Sequence, residues 1–124
     1  MILQYWLSIA KDGPMTTINH IRIDEVNERL PDDSILLIDV RNLDAYQAGH
    51  LTGAIHLNKN ELDSFAGKTD KSQAIIFYCY HGISCHAVAQ YFADQGFTNI
   101  YSMDGGFEAW RLQYPVARAE NTPE

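Results

Sequence analysis

Cys79 stands where a cysteine can act as a nucleophile. It follows the apolar run Ala74–Tyr78 and is itself followed by a short segment with a glycine at position 82. A helix-like stretch then begins at Ser84. Loop amides and the free N–H groups of a helix start would stabilise a thiolate there and bind an anion beside it. We predict Cys79 as the catalytic residue, with a substrate-binding loop formed by Tyr80, His81, Gly82, Ile83, Ser84 and Cys85.

The size of the effect supports a reactive cysteine. A cysteine with an ordinary pKa of about 8.5 is only about 3% thiolate at neutral pH, and a pKa about two units lower makes it about 75% thiolate. That change requires about 2.7 kcal/mol, which several charge-assisted hydrogen bonds of about 1.5–3 kcal/mol each can supply. The alternative is an inert core cysteine, because free cysteines are often buried.

Cys85 is the second cysteine and has two interpretations. One is a resolving thiol that attacks an oxidised or persulfidated Cys79 and forms a disulfide. The other is a small residue in the first turn of the helix, since the two positions in sequence do not guarantee the approach that a disulfide needs. Two cysteines are too few for a disulfide framework, and we predict a reducing compartment, the cytoplasm.

Strand-like and helix-like stretches alternate along the chain, and this alternation must position Cys79. It predicts a single α/β domain with a central, mostly parallel sheet and helices on both faces, with the site at the carboxyl ends of the strands. The predicted strands are Ile21–Ile23, Ser34–Val40, Gly53–Leu57, Ala74–Cys79 and Asn99–Ser102. The predicted helices are residues 24–30 with Asp24 as cap, 42–47, 60–66 ended by Gly67, 84–95, and a last one carrying Phe107, Trp110 and Tyr114 in the core.

Length and charge narrow the classes of partner. The chain has 124 residues and a net charge of −7, without a basic run, so nucleic acid is a poor candidate. No stretch has the length of a membrane span.

We assign residues 1–14 to an N-terminal extension or a short docking segment, 15–116 to the domain, and 117–124 to a polar tail that frays. No histidine or cysteine has metal-ligand spacing to His20 or His56, and His86 is expected to face solvent, so no metal site is predicted.

Three motifs in register make the chain resemble the single-domain rhodaneses, and most of all their GlpE subgroup. They are Asp39-Val40-Arg41 with Gly49–Ala54, the loop Cys79–Ser84, and Asp104–Trp110. The resemblance implies transfer of sulfane sulfur from thiosulfate to cyanide or a thiol through a Cys79 persulfide, without metal or organic cofactor. Thioredoxin-like or sulfur-relay proteins are the further partners that it suggests. Asp39, Arg41 and His50 are expected to support the structure rather than to catalyse.

The loop departs from related enzymes in its charge. Phosphatases similar to rhodaneses end a longer loop in arginine, and many rhodaneses carry a basic residue near the same place. This chain has Ser84 and Cys85 there, so a phosphate dianion would lack its bidentate partner. His81 is expected to be the only nearby source of positive charge. The missing arginine leaves open an alternative function, a persulfide relay between protein partners with weak turnover of thiosulfate.

Overall fold

The computed structural model describes residues 18–118. The predicted extension at residues 1–14 therefore lies outside the described residues. The strands are β1 (Asn19–Ile21), β2 (Ile35–Asp39), β3 (Ile55–His56), β4 (Ala74–Tyr78) and β5 (Ile100–Met103). The helices are α1 (Ile23–Arg29), α2 (Leu43–Ala48), α3 (Lys59–Lys68), α4 (Ser84–Asp94) and α5 (Gly106–Arg111).

The five strands form one sheet in the order β1-β5-β4-β2-β3, and every neighbouring pair is parallel. The two apolar strands, β2 and β4, pair with each other along five residues each. Such runs suit the centre of a parallel sheet because helices cover both of its faces. The predicted fold class is confirmed.

Two hydrophobic cores lie on opposite faces of the sheet. Alternate residues of each strand point to opposite faces, so Ile76 and Tyr78 enter one core while Ile75 and Phe77 enter the other. The first core packs under α1 and α5 with Val26, Phe107 and Trp110, and the second packs under α3 and α4 with Leu62, Ala89 and Phe92. The predicted core positions of Phe107 and Trp110 are confirmed.

Several predicted boundaries are wrong by a few residues. β1 ends at Ile21, and Arg22 caps α1, so Asp24 lies in the first turn of the helix and not at its cap. Gly67 does not end α3, which begins with a capping box formed by Asn58 and Glu61 and continues to Lys68. A glycine inside a helix costs only about 1 kcal/mol, so the rest of the helix can carry it.

The chain beyond α5 returns to the domain. Ala117 forms an antiparallel bridge with His50, with both backbone hydrogen bonds present at 2.9 and 2.8 Å. The expectation that the chain frays from residue 117 is therefore wrong at that residue, because its backbone is paired. In the described range 18–118, no helix is both long and apolar enough to cross a membrane.

Candidate active site

Cys79 lies at the carboxyl end of β4, directly before the loop that leads into α4. Its side chain is buried at the floor of a cavity of about 880 Å³. The cavity is lined by Val40, Arg41, Asn42, Ala45, Ala48, Gly49, Cys79, Tyr80, Ser84, Phe107, Arg111, Tyr114, Pro115 and Val116. The strand end thus presents one sulfur atom to a space large enough for a small anion and its acceptor.

The loop bends so that two backbone amides point at the sulfur. Gly82 N–H donates to Cys79 Sγ at 3.2 Å, and Cys85 N–H donates to it at 3.3 Å. Gly82 has φ +82°, and a Cβ there would lie 2.7 Å from the amide nitrogen of Gly105. Only glycine fits both the conformation and the space. Other loop side chains, those of His81 and Ile83, are exposed.

The surroundings of Cys79 favour its thiolate. The Cys85 thiol has the largest effect on the pKa of Cys79, through a hydrogen bond that it donates. The Ser84 hydroxyl and the amides of Cys85 and Gly82 act in the same direction. Together they lower the pKa of Cys79 to about 4, although burial opposes the change. A thiolate is stabilised by every donor that points at it. At neutral pH Cys79 is therefore ionised.

Cys85 is fully buried in the first turn of α4, and both cysteines are free thiols. Its Sγ lies 3.1 Å from the Oγ of Ser102, which belongs to β5. The hydrogen bond to Cys79 comes first, and burial second, among the causes that raise the pKa of Cys85. The opposite shifts in pKa favour Cys79 as the thiolate and Cys85 as the protonated thiol.

The start of α5 holds the loop from below. Phe107 N–H donates to the carbonyl of Cys79 at 2.8 Å, and Glu108 N–H donates to that of Tyr80 at 2.9 Å. Gly106 has φ +62°, and a Cβ there would lie 2.6 Å from both carbonyl oxygens. Our site prediction did not include Gly106, because nothing local in the sequence shows that this turn packs against the loop.

A buried ion pair, Arg41 with Asp39, lies at the wall of the cavity. Arg41 donates through Nη2 and Nε to the carboxylate of Asp39 at 2.7 and 3.1 Å, and through Nη2 to the carbonyl of Gly49 at 2.6 Å. The Tyr78 hydroxyl donates to the same carboxylate at 2.6 Å and accepts from the amide of Leu51 at 3.1 Å. Burial, followed by the Asp39 charge, raises the pKa of Tyr78, so its hydroxyl stays protonated.

His50 is buried beside this network and away from the cysteine. Its Nδ1 lies 2.8 Å from the carbonyl of Tyr46, and its ring stacks on the Tyr46 ring with centroids 3.9 Å apart. His50 and the ion pair thus contact the turns around the cavity, and none of their described hydrogen bonds reaches Cys79. We infer that they position the walls of the site.

Positive charge near the site comes from two arginines. Arg41 and Arg111 both line the cavity, whereas His81, in the described part of the chain, lies outside its lining and contacts Tyr80 by its ring edge. The expectation that His81 is the only nearby source of positive charge is therefore wrong. Arg111 is distant in sequence from the loop, and its place in the cavity follows from the packing of α5.

The expectation that His86 faces solvent is wrong. His86 is half-buried in α4, and its ring meets the edge of the His20 ring at a centroid distance of 4.8 Å. The His20 ring, which belongs to β1, thus covers one side of the His86 imidazole.

Comparison with known proteins agrees with this arrangement. The family model described as a rhodanese-like domain matches residues 22–113. The chain belongs to the rhodanese family. A relative named thiosulfate sulfurtransferase GlpE, from Coxiella burnetii, is 39% identical over 102 residues, which cover 82% of this chain and 92% of the relative. The predicted resemblance to the rhodaneses and to GlpE is confirmed.

Solved rhodanese structures share the fold. A rhodanese-related protein from Thermoplasma volcanium superposes with a TM-score of 0.70 at 22% identity, covering 80% of this chain and 97% of that one. The rhodanese-like domain of an Anabaena protein gives a TM-score of 0.71 at 23% identity and covers 87% and 86% of the two chains. At such identities the comparison establishes the rhodanese fold alone.

Proposed function

We propose that this rhodanese is a thiosulfate sulfurtransferase that carries sulfane sulfur as a persulfide on Cys79. The observation that carries the proposal is the Cys79 sulfur itself, bound by the amides of Gly82 and Cys85 at the floor of the cavity, with a pKa lowered to about 4. The name of the GlpE relative supports thiosulfate as the donor. The chain's own residues suffice for the two steps below, without a cofactor.

In the first step the Cys79 thiolate attacks the outer sulfur of thiosulfate. The new S–S bond forms as the sulfur–sulfur bond of thiosulfate breaks, and sulfite leaves with the electron pair. The loop amides that hold the thiolate are placed to stabilise the negative charge as it spreads over the attacked and leaving sulfurs. The enzyme is left as the Cys79 persulfide, with its outer sulfur in the cavity.

In the second step an acceptor, cyanide or a thiolate, attacks the outer sulfur and Cys79 leaves as a thiolate. A thiol of low pKa is the better leaving group in such exchanges. The donors that lower the pKa of Cys79 therefore favour release of sulfur more than they favour its capture. This balance suits a residue that must give up its cargo in every cycle.

Arg111 is the residue we propose for attraction of the thiosulfate dianion. Arg111 lines the cavity, and its guanidinium donates to the Glu108 carboxylate at 2.9 and 2.7 Å. Its side chain is 46% exposed, so its charge acts through solvent. Arg111→Gln should raise KM for thiosulfate several-fold with a smaller change in kcat, while Lys59→Gln, on the exposed start of α3, should not.

The direct test of the proposed function is formation of thiocyanate from thiosulfate and cyanide. Wild-type protein should turn over, and Cys79→Ser should lose activity to the background rate because a serine hydroxyl cannot form the persulfide. Cys85→Ser, which keeps a hydrogen-bond donor beside Cys79, should retain most of the activity. Undiminished turnover by Cys79→Ser would refute the proposal.

For Cys85 we propose the role of hydrogen-bond donor to the Cys79 thiolate. Its raised pKa makes it a poor attacking thiol at neutral pH, since exchange requires the thiolate. The resolving-thiol hypothesis stays a prediction. Mild peroxide should oxidise Cys79, and mass spectrometry of peptides should then reveal a Cys79–Cys85 disulfide if that hypothesis holds. Two free thiols also suit a reducing compartment such as the cytoplasm.

A second candidate function is a persulfide relay to a protein acceptor, for example a thioredoxin-like protein. It is favoured by exposed apolar side chains at the cavity mouth: Tyr80 and Val116 line the cavity, and Ile83, 72% exposed, adjoins it in the loop. Ile83→Ser should slow transfer to a thioredoxin-like acceptor and leave transfer to cyanide unchanged. Ile55→Ser, on the edge strand β3, serves as the matched control. Equal loss with both acceptors would argue against a relay.

A further inference from the structure

Three side chains with metal-ligating atoms meet on the described surface outside the Cys79 cavity. His20 comes from β1, His86 from the first turn of α4, and Asp104 from the turn after β5. One ligand atom of each lies within 4.8 Å of the others. The prediction of no metal site rested on spacing in sequence, because no cysteine or second histidine has metal-ligand spacing to His20 or His56. Spacing in sequence does not reveal this cluster, since the sheet brings together residues that are far apart in the chain.

The pair His20 and Asp104 is already oriented. His20 Nδ1 lies 2.9 Å from an Asp104 carboxylate oxygen. The Asp104 amide donates to the carbonyl of Ile21 at 2.8 Å, which fixes the turn against the end of β1. The side chains of His20 and Asp104 are 47% and 48% exposed. They can therefore rotate toward an ion without disturbing the core.

A second observation, separate from the closeness of the three side chains, concerns the ring of His86. Its Nε2 is buried from solvent and, among the described residues, has no hydrogen-bond partner. A buried polar nitrogen without a partner costs about 1–3 kcal/mol, so its neighbourhood needs an explanation. The only ring that the described structure places against it is that of His20, at a right angle. A cation bound by its lone pair would satisfy the nitrogen.

We propose that His20, His86 and Asp104 form a binding site for a divalent transition-metal ion of the zinc class. Two imidazoles and one carboxylate select such ions over Mg²⁺ and Ca²⁺, which prefer oxygen ligands alone. Zinc takes these ligands at about 2.0–2.2 Å, so atoms now up to 4.8 Å apart must close by about 1 Å. The exposed pair can make that movement, and water can fill the remaining position.

A metal here would connect three segments that frame the active-site loop. Asp104 directly precedes Gly105 and Gly106, which pack under the loop, and His86 directly follows Cys85, whose amide binds Cys79 Sγ. An ion bound to the folded state alone raises the unfolding temperature by mass action. The site would therefore stabilise segments next to the active-site loop, and none of its three residues lines the cavity.

The test is a calorimetric titration of Zn²⁺ into the metal-free full chain, which measures the number of ions bound and their affinity. Because a cysteine thiolate can also bind zinc, the titration is repeated in Cys79→Ser to exclude binding at that residue. We expect one ion bound per chain in both, and an affinity at least about tenfold lower in His86→Gln and in the exposed variant His20→Gln. His81→Gln, an exposed histidine outside the cluster, should bind as the parent does.

A spectroscopic readout separates coordination from a structural effect. With Zn²⁺ added, the ring nitrogen resonances of His20 and His86 should shift in ¹⁵N-edited spectra, while those of His81 should stay in place. Binding that vanishes in Cys79→Ser and persists in His86→Gln and His20→Gln would overturn the proposal. Absence of any shift at the His20 and His86 ring nitrogens under saturating Zn²⁺ would also overturn it.

Discussion

Replacement of Cys85 by alanine should raise the pKa of Cys79. The substitution removes the thiol that donates to the Cys79 thiolate and leaves in place the backbone amides of Gly82 and of residue 85. Alanine is small enough for the first turn of α4, so the loop should keep its course. The perturbation therefore isolates a single donor.

The magnitude follows from the donors around the sulfur. A pKa lowered from about 9 to about 4 corresponds to about 7 kcal/mol of net preference for the thiolate. Four donors supply this preference against the opposing effect of burial: the Cys85 thiol, the Ser84 hydroxyl, and the amides of Cys85 and Gly82. Each donor therefore contributes about 2 kcal/mol or more on average, which is in the usual range for hydrogen bonds to a charged group. Loss of the strongest donor should raise the pKa of Cys79 by at least about one unit.

The assay is the rate of alkylation of Cys79 by iodoacetamide as a function of pH, with the modified residue identified by peptide mass. Wild-type protein should show a midpoint at about 4 and Cys85→Ala one at about 5 or above. Cys85→Ser is the matched control, because its hydroxyl can still donate and should hold the midpoint near that of the wild type. Equal midpoints in wild type and Cys85→Ala, or equal shifts in both variants, would refute the reasoning.

Three further predictions concern stability, each measured by urea or thermal unfolding. The depressed folded-state pKa of Cys79 contributes stability above the unfolded value, so the advantage of wild type over Cys79→Ala should shrink by about 1.4 kcal/mol per pH unit as pH falls from about 8 to about 4; a constant advantage would contradict the assigned pKa. Gly106→Ala should lower the free energy of unfolding by about 3 kcal/mol or more, because Gly106 has a positive φ and two carbonyl oxygens would lie 2.6 Å from the new Cβ. Gly67→Ala has open space around it and should raise the free energy of unfolding by about 0.5–1 kcal/mol. The reverse order would contradict the close packing of Gly106 under the Cys79 loop. Tyr78→Phe should cost about 1–3 kcal/mol because it strips a donor from buried Asp39, and an unchanged midpoint would show that the network contributes nothing.

The sequence was sufficient to predict the central strands and the position of Cys79 at the end of one of them. β2 and β4 are continuous apolar runs, which only a strand covered on both faces explains well, and Cys79 directly follows one of them. The ends of the edge strand β1 were less predictable. β1 pairs with β5 alone, so its short apolar pattern, Ile21–Ile23, did not determine where the strand stops and α1 starts.

Contacts between distant segments were beyond local patterns. Arg111 enters the cavity because α5 packs under the loop, and Ser102 meets Cys85 because β5 lies beside β4. The pairing of His86 with His20 depends on the same strand order. The Asp104–Trp110 motif carried a signal for the cradle under the loop, but only the fold shows which of its amides bind which carbonyls.

The central claim is that Cys79 carries sulfane sulfur, and intact-mass measurement after treatment with thiosulfate tests it most directly. We expect an adduct of about 32 Da, the mass of one sulfur atom, in nearly stoichiometric yield on a thiolate nucleophile. Peptide mapping should place it on Cys79, and cyanide or a reductant should remove it. No adduct on folded wild-type protein, or the same adduct on Cys79→Ser, would contradict the account.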